Sequence, residues 1–445
     1  MKPSIHLLMT LVLFVAAHRA VAQVPFTLSA SLTNGTFVRS VTTADVNNDG
    51  KPDLICVRGN PSMLYVWTNS GSGLFVSNAS YAFGSFPYQV IAADVNNDGW
   101  PDLITANNNG NSLTVLTNDG KGGFVLAATL PLASNNQTRS VAAADFNGDG
   151  RLDLVCANFS YGTVTVWTNA GGGNFVSNAS YTVSSNPDSV TTTDVNGDGK
   201  PDIICANNGN TFNPVTLLTN NGNGGFASAP MPNLGGVLGA SWVTAADVNG
   251  DGKVDLILIA ILATSSEVMV LTNNGGGGFA LSGNYPVGSN PYAVVAADVN
   301  GDGWVDLITA NQGNNTLTVL TNNGTGVFGS NATLTVGSGP ESLTAADING
   351  DGRVDLISGG WNSPGALTVL TNAATFMPRL TLKHSGNNVI VSWPAIWANW
   401  TLKQSASLDS GGWTSFSGPI GNDGTTKSAT NSSPVANRFF RLSNP

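Results

Sequence analysis

One nine-residue pattern of oxygen-bearing side chains occurs seven times in the chain. It reads DxNxDGxxD, first at Asp45 to Asp53, and it begins again at Asp94, Asp145, Asp194, Asp247, Asp298 and Asp347. Carboxylates at positions 1, 5 and 9, an asparagine oxygen at position 3 and a main-chain carbonyl near position 7 can surround a hard cation. The glycine at position 6 permits the sharp turn that folds these oxygens inwards. The pattern predicts about seven calcium sites, to which magnesium would be a poorer fit.

The residue at position 12 excludes an EF-hand. That motif needs a bidentate glutamate there, whereas these copies have Cys56, Thr105, Cys156, Cys205, Leu258, Thr309 and Ser358. Cysteines at equivalent rather than facing points are expected to be small buried strand residues, not a disulfide framework or a zinc site. Aspartates that only form turns are the alternative to metal binding. Position 9 favours metal, because a strand has already begun there.

The loops recur every 49 to 53 residues, which indicates one supersecondary unit used seven times. In the first unit, runs at 41–45, 53–57, 64–69 and 75–81 predict four strands, with a glycine-rich turn before the fourth. Four short antiparallel strands per unit and no helix signal predict an all-β, seven-bladed β-propeller. The segment 26–32 resembles a fourth strand placed ahead of the first loop. It should complete the seventh blade and close the ring.

Three segments of the chain differ in kind. Residues 1–22 read as a signal peptide, with Lys2, an apolar stretch at 5–17 and cleavage after Ala22. We therefore expect a secreted or cell-surface protein that is a monomer, with the propeller at 23–375. Residues 376–445 break the period, and their alternating runs predict a small C-terminal β-sandwich that serves either as a packing cap or in binding.

The composition of the chain argues against several classes of function. The 27 acidic residues outnumber the 17 basic ones, which argues against a nucleic-acid-binding surface. Beyond the N-terminus no apolar run reaches 18 residues, so no membrane span is expected after cleavage. Three carboxylates converge in each loop, so metal removal is expected to loosen the blades.

The repeats resemble the FG-GAP or VCBS repeats of secreted bacterial proteins, and the loops are similar to the calcium-binding hairpins of the integrin α-chain propeller. The resemblance covers about residues 26–375, with GGF or GLF in place of the phenylalanine-glycine element. It implies that each metal loop joins the first and second strands of a blade on the lower face. It also implies these ligands, position 7 acting through its carbonyl: Asp45, Asn47, Asp49, Lys51, Asp53, Asp94, Asn96, Asp98, Trp100, Asp102, Asp145, Asn147, Asp149, Arg151, Asp153, Asp194, Asn196, Asp198, Lys200, Asp202, Asp247, Asn249, Asp251, Lys253, Asp255, Asp298, Asn300, Asp302, Trp304, Asp306, Asp347, Asn349, Asp351, Arg353 and Asp355.

The residue six positions before the first aspartate of each loop differs between the units. These ring positions are Arg39, Tyr88, Arg139, Asp188, Ser241, Tyr292 and Glu341. If the metal loops lie below, these residues should surround the upper mouth of the channel. Variable side chains on a repeated scaffold predict a ligand site, which includes the neighbouring Trp242. Further aromatic residues that suit sugar rings lie in the upper loops: Phe159, Tyr161, Phe212 and Trp361.

A second interpretation of the ring is structural. Arg139 and Asp188 belong to adjacent blades, as do Arg39 and Glu341 once the ring closes. These residues can form two ion pairs, and exposed pairs contribute only about 0 to 1 kcal/mol each.

The inventory of reactive groups argues against catalysis. After signal cleavage one histidine remains, His384, outside the propeller, and no nucleophile elbow or zinc motif occurs. The carboxylates outside the loops are Asp119, Asp188, Glu267, Glu341, Asp409 and Asp423. The sequence favours a binding or adhesion module for a glycan or a surface protein. The alternatives are a calcium-dependent polysaccharide lyase or other carbohydrate-active enzyme, with Tyr88 and Arg139 at its site, and a structural envelope or matrix protein.

Overall fold

The computed structural model describes residues 23–33, 37–71, 73–82, 85–209, 213–361, 366–373, 380–385, 388–394, 401–405, 413–422, 426–432 and 439–443. The expected signal peptide, Phe212, Asp409 and Asp423 lie outside these ranges. Within them, no helix is long and apolar enough to cross a membrane.

Each blade is an antiparallel sheet of four strands, and the strands are numbered along the chain from β1 (Phe26–Thr33). Blade 1 contains β2 (Val38–Ala44), β3 (Asp53–Arg58), β4 (Met63–Asn69) and β5 (Phe75–Ala82), and blade 2 contains β6 (Pro87–Ala93), β7 (Asp102–Asn107), β8 (Ser112–Asn118) and β9 (Phe124–Pro131). Blade 3 contains β10 (Thr138–Ala144), β11 (Asp153–Asn158), β12 (Thr163–Asn169) and β13 (Phe175–Thr182), and blade 4 contains β14 (Pro187–Thr193), β15 (Asp202–Asn207), β16 (Val215–Asn220) and β17 (Phe226–Ala229).

The second half of the ring follows the same order. Blade 5 contains β18 (Gly239–Ala246), β19 (Asp255–Ile261), β20 (Ser266–Asn273) and β21 (Phe279–Pro286), and blade 6 contains β22 (Pro291–Ala297), β23 (Asp306–Asn311), β24 (Thr316–Asn322) and β25 (Phe328–Thr335). Blade 7 contains β26 (Pro340–Ala346), β27 (Asp355–Gly360) and β28 (Ala366–Asn372), and its outer strand is β1. Phe26 pairs with Asn372 in this last sheet. The predicted seven-bladed propeller and its closing N-terminal strand are therefore confirmed.

The hydrophobic core lies between the blades. In β3, Ile55 and Val57 pack with residues of blade 2, whereas Leu54 and Cys56 pack with residues of blade 7. Every residue of β3 is buried, because both faces of this strand meet a neighbouring blade. The outer strand β5 alternates between exposed and half-buried residues, as expected for a sheet edge that faces solvent. Continuous apolar runs thus mark the second strand of each blade.

The three cysteines are free and buried, as predicted. Burial raises the pKa of the Cys156 thiol to about 12, and burial raises the pKa of Cys205 as well. Thiols with raised pKa values are poor nucleophiles and poor metal ligands at neutral pH. These residues serve as small core side chains.

The C-terminal part folds as two small sheets. One has the order β29 (Thr381–Ser385), β30 (Asn388–Pro394), β34 (Thr426–Ser432) and β33 (Ile420–Asn422), and the other has the order β32 (Thr414–Ser415), β31 (Thr401–Ser405) and β35 (Phe439–Ser443). Val391, Trp393 and Ala429 of the first sheet share an apolar cluster with Leu402 of the second. The alternating runs that predicted this domain lie at 380–384, 389–393, 400–403, 413–416 and 438–442, so β33 and β34 were not predicted. Serine, threonine and glycine dominate them, so they show no alternation of apolar residues.

Candidate functional site

Each ring position is the extra residue of a β-bulge in the innermost strand of its blade. In blade 1 the register with β3 shifts between Val38 and Ser40, which leaves Arg39 without a cross-strand partner. The same shift occurs at Tyr88, Arg139, Asp188, Ser241, Tyr292 and Glu341. A bulge re-aims the side chain of the extra residue. All of these residues except Arg139 line one small cavity together with Trp242.

Two ion pairs join adjacent blades at this level. Arg39 Nη1 lies 2.6 Å from Glu341 Oε2, and Arg139 Nη1 lies 2.8 Å from Asp188 Oδ1. The description of such pairs as exposed is wrong, because the carboxylate side chains are only 3% and 8% exposed. Buried pairs fix geometry, and removal of one partner leaves an uncompensated charge. The two pairs therefore hold the ring in a defined arrangement.

Amide side chains complete the coordination of both carboxylates. Gln312 Nε2 donates to Glu341 Oε1, and Asn208 Nδ2 donates to Asp188 Oδ2 at 2.8 Å. Burial raises the pKa of Glu341 to about 7 in spite of Arg39 and Gln312, which act to lower it. These two amides were not predicted from the sequence. Their position just after the second strand of a blade is the only signal for them.

Aromatic rings cover both guanidinium groups. The guanidinium carbon of Arg39 lies 3.5 Å from the centre of the Trp361 ring, and that of Arg139 lies 3.3 Å from the centre of the Phe159 ring. Tyr88 lies between the two arginines, 5.0 Å from Arg39 and 5.3 Å from Arg139. Such contacts between cations and rings are attractive and are stronger where water is excluded. Within the described chain, neither buried Nε atom has a hydrogen-bond partner.

The centre of the ring is closed. Tyr88 of blade 2 and Tyr292 of blade 6 both line the small cavity at this centre, and burial raises the pKa of both phenols. The cavity that the ring encloses has a volume of about 30 Å³, which is space for one or two water molecules. Below the ring, a larger space of about 360 Å³ is lined mainly by alanine, valine and threonine of the inner strands. The cavity enclosed by the ring positions is therefore too small for a sugar.

The lower loops have the same hydrogen-bond pattern in all seven blades. In the first loop, Asp45 accepts the N–H of Asp49 at 3.0 Å and that of Gly50 at 2.7 Å. The bond from the glycine N–H to the first aspartate recurs in every loop. Gly50 has a φ of 82°, a conformation that side chains with a Cβ rarely adopt. The glycine at position 6 is thus explained by backbone geometry.

The aspartate at position 9 has a structural role that does not need a metal. Asp53 is fully buried and accepts the N–H of Val46 at 3.0 Å and that of Asn69 at 2.7 Å. Equivalent pairs of bonds occur in the other six blades. These backbone bonds are a reason for aspartate at position 9 that the sequence did not reveal, so the residue type there does not by itself favour metal. Burial raises the pKa of all seven of these carboxyls, and the aspartates at positions 5 and 1 raise it further.

The asparagine that ends each third strand links its blade to the preceding one. Asn118 Nδ2 donates to the carbonyl of Val46 at 2.9 Å, across the boundary between blades 1 and 2. The equivalent bonds are made by Asn69, Asn169, Asn220, Asn273, Asn322 and Asn372. The carbonyl that accepts the bond always belongs to position 2 of a loop. Each third strand ends in Thr-Asn, and this inter-blade bond explains why its last residue is always asparagine.

Position 7 of the loops engages through its side chain in five blades. Lys51, Arg151, Lys200, Lys253 and Arg353 each pair with the aspartate at position 5 of the same loop, at 3.3 Å in the case of Lys51. The remaining two loops have Trp100 and Trp304 there. The carboxylate at position 5 is thereby partly neutralised by a cationic side chain of the same loop.

The donor types of the loops suit calcium, although within the described residues no three Asp, Glu, His or Cys form a ready metal-binding group. In the first loop Asp45, Asn47 and Asp49 all direct side-chain oxygens to the backbone of the loop itself. A carboxylate oxygen that accepts one N–H retains a second lone pair. Hard oxygen donors of this kind are those that calcium takes. The residues present thus fit the ion by their chemistry.

The chain was compared with known families and structures. Six overlapping segments match the FG-GAP-like repeat family: residues 45–105, 94–156, 145–205, 194–258, 257–309 and 298–358. Together they extend over 45–358, which is well over half of the chain. No curated protein matches.

Several solved structures share the fold at low sequence identity. BBS1N, solved in complex with ARL6DN, aligns with a TM-score of 0.56 and 14% identity over 80% of this chain and 99% of its own. A protein described as a putative 6-phosphogluconolactonase from Bacteroides uniformis aligns with a TM-score of 0.53 and 16% identity over 71% of this chain and 89% of its own. Identities this low show the propeller fold alone.

Proposed function

Since the chain belongs to the FG-GAP-like repeat family and folds as a seven-bladed propeller, we propose that it is a secreted, calcium-stabilised binding module. Its upper face takes a glycan or an extracellular protein. One observation carries this proposal: a bulge is repeated at the same height in all seven blades, yet it presents seven side chains chosen from five residue types. A purely structural propeller would not need different side chains at these positions, because the shift of register forms the bulge whatever the side chain is.

The ligand would lie across the mouth and not inside it. The cavity within the ring is about 30 Å³, far below the roughly 300 Å³ at which small-molecule pockets begin. Around it, Phe86, Tyr88, Phe159 and Trp361 surround Arg39 and Arg139 on blades 7, 1, 2 and 3. Aromatic and arginine side chains supply much of the energy at protein interfaces. This half of the face is the proposed contact surface.

Calcium would be held by the aspartates at positions 1, 5 and 9 and the asparagine at position 3, with the carbonyl of position 7. When bound it would neutralise the carboxylates at positions 1 and 5, which raise the pKa of the aspartate at position 9 in each loop. The chain's own hydrogen bonds at positions 1, 6 and 9 shape the loop. The role of the ion in this proposal is stability of the scaffold, and the ligand-binding surface is on the opposite face.

Binding can be tested with the mature full-length protein in calcium buffer, against an array of oligosaccharides and a panel of displayed extracellular protein domains. The informative variant is Trp361→Ala, which removes the ring that covers Arg39. We expect saturable binding that weakens about tenfold or more, since hot-spot truncations cost about 2 kcal/mol. The control is Val125→Ala, which truncates a residue that is 64% exposed on an outer strand. No saturable binding to either set of probes would refute the proposal.

The geometry gives the lyase alternative little support. A tyrosine base works best with a lowered pKa, whereas burial raises that of Tyr88. Arg139 is paired with Asp188 and covered by Phe159. A structural role would leave the protein without any ligand in the assay above.

A further inference from the structure

A second cavity, separate from the ring, lies between blades 2 and 3 near the upper face. Its volume is about 340 Å³. One wall is the end of β9 with the connection that follows it, and the other wall is formed by β12 and β13 of blade 3. This volume is at the lower end of the range found for small-molecule sites.

A local insertion accompanies the cleft. From Phe124 to Arg139 the chain is two residues longer than from Phe75 to Tyr88. The longer connection turns through Asn135 and Gln137, which have positive φ angles of 62° and 55°. Two backbone bonds attach it to the upper loop of blade 3, from Phe159 N–H to Gln137 O and from Ser160 N–H to Asn136 O. The insertion is therefore held in place as one wall of the cleft.

A chain of neutral polar groups lines the interior. Asn136 is 2% exposed and its Nδ2 donates to Asn158 Oδ1 at 2.9 Å, but within the described chain its Oδ1 has no partner. Asn158 Nδ2 donates to Thr163 Oγ1 at 3.0 Å and to Thr165 Oγ1 at 2.8 Å, and Thr165 bonds to Ser180 at 2.8 Å. A buried acceptor without a partner costs free energy unless a ligand or water satisfies it. Hydroxyl groups of a ligand would supply that donor.

Aromatic and apolar surface completes the site. The side chain of Tyr161 is 54% exposed and its hydroxyl donates to Ser134 O at 2.9 Å, which holds the ring at the cleft. Trp167 also lines the cleft, and within the described chain its buried indole N–H has no hydrogen-bond partner. None of the described lining residues is charged. An aromatic wall, hydroxyls and amides without charge match a neutral polyhydroxylated molecule.

Blade 1 has larger residues at the positions that are equivalent to Asn158 and Thr165 of blade 3. Its outer strand has the same sequence, FVSNASY, at 75–81 as blade 3 has at 175–181. Where blade 3 has Asn158 and Thr165, blade 1 has Arg58 and Tyr65, and Arg58 Nη1 donates to Tyr65 Oη at 2.9 Å. The small pair in blade 3 therefore leaves space that the large pair would take.

We propose that this cleft binds a neutral sugar, one residue of which enters against Tyr161 while its hydroxyl groups bond to Asn136 and to the serine and threonine hydroxyls. The site uses none of the ring positions. It therefore goes beyond the upper-face function, and either site can exist without the other.

The test is titration calorimetry of the full-length mature protein, in calcium buffer, with short neutral gluco-, galacto-, manno- and xylo-oligosaccharides. We expect at least one to bind. The double variant Asn158→Arg with Thr165→Tyr transfers the pair of blade 1 into blade 3, and it should weaken binding more than tenfold. Tyr161→Ala, at an exposed side chain, should weaken binding about three- to tenfold, since it removes the aromatic wall.

The matched control makes the same exchange in the next blade. Asn207→Arg with Thr216→Tyr replaces a pair that is also hydrogen bonded, at 3.0 Å, and it should leave binding unchanged. Thermal unfolding of each variant checks that it folds. If a double variant does not fold, Tyr161→Ala alone tests the proposal. Absence of binding to all neutral oligosaccharides overturns the proposal. Binding that survives Tyr161→Ala and the blade 3 exchange, or that is lost only on Trp361→Ala, overturns it as well.

Discussion

The upper ring and the lower loops are made by the same seven-fold repeat, yet the lower residues are almost constant and the upper ones differ. On the lower face the side chains fix the backbone conformation, because Asp45, Asp53 and Asn69 each form hydrogen bonds to main-chain groups. On the upper face a shift of register builds the bulge, and the extra residue is free to be of any type. The comparison shows that a repeat can hold its scaffold constant and still present a variable surface.

The largest effect should come from removal of metal from the lower face. If calcium neutralises the loops, excess EDTA should lower the melting temperature by about 10 °C or more, because ligands of the native state add stability at every occupied site. Calorimetric titration should count about seven ions. A melt that does not change with chelator would leave the loops as hydrogen-bonded turns alone.

The next effect separates the structural role of position 9 from its role toward metal. Asp153→Asn places an amide N–H₂ against one of two buried backbone N–H groups, so it should lower the free energy of unfolding by about 2 to 4 kcal/mol even in EDTA. Chemical unfolding in EDTA measures this effect. Asp149→Asn, at the exposed position 5 of the same loop, is the control and should change stability by less than about 1 kcal/mol. Equal effects of the two substitutions would contradict the assignment of hydrogen bonds at position 9.

On the upper face the corresponding test is pH dependence. Burial raises the pKa of Glu341 from 4.5 to about 7 in the folded protein. Between these values the folded state binds more protons than the unfolded state, so the contribution of Glu341 to stability falls as the pH rises. The stability of the natural protein relative to Glu341→Gln should therefore fall by about 2 kcal/mol from pH 5 to pH 8. An increase over that range would show that Arg39 outweighs burial and keeps the carboxylate ionised.

The smallest effect concerns the closure of the ring. Tyr88→Phe removes a buried phenol hydroxyl at the centre of the ring, where Tyr292 also lies, and should cost about 1 kcal/mol, the order of a single polar interaction. Thermal unfolding gives the measurement, and Tyr161→Phe, which removes an exposed hydrogen bond to Ser134 O, gives the cost at an exposed tyrosine for comparison. A loss of several kcal/mol would mean that the upper ring, like the lower loops, is required to build its blade.

Much of the fold could be predicted because the period is carried by local sequence. The spacing of the aspartate loops located every blade, and the position of Phe26 located the closing strand. The two ion pairs could be named because ring closure makes Arg39 and Glu341 neighbours. Their burial could not be predicted, since the covering rings of Trp361 and Phe159 come from other loops.

Other features lacked a signal that one sequence provides. The Thr-Asn pairs were visible, but their bond to the preceding blade joins residues about 70 positions apart. The bulges were not visible, because a bulge residue has no characteristic type. The cleft between blades 2 and 3 depends on a two-residue insertion. Insertions of this size change the loop spacing elsewhere in the chain as well, so the spacing alone does not mark the cleft. Its two amides, Asn136 and Asn158, are 22 residues apart in the chain and come together when β10 pairs with β11.

The closing strand has a consequence for how the molecule folds. β1 is made first, but its partner β28 is among the last strands of the propeller to be made, and Phe26 has to find Asn372. Contacts between such distant residues are slow to form, and partly folded chains expose their apolar surfaces meanwhile. Until blade 7 is complete, the first blade lacks one neighbour and β1 has no sheet to join. A circular permutant cut between two blades would pair its closing strand locally, and it should reach the native state faster than the natural chain.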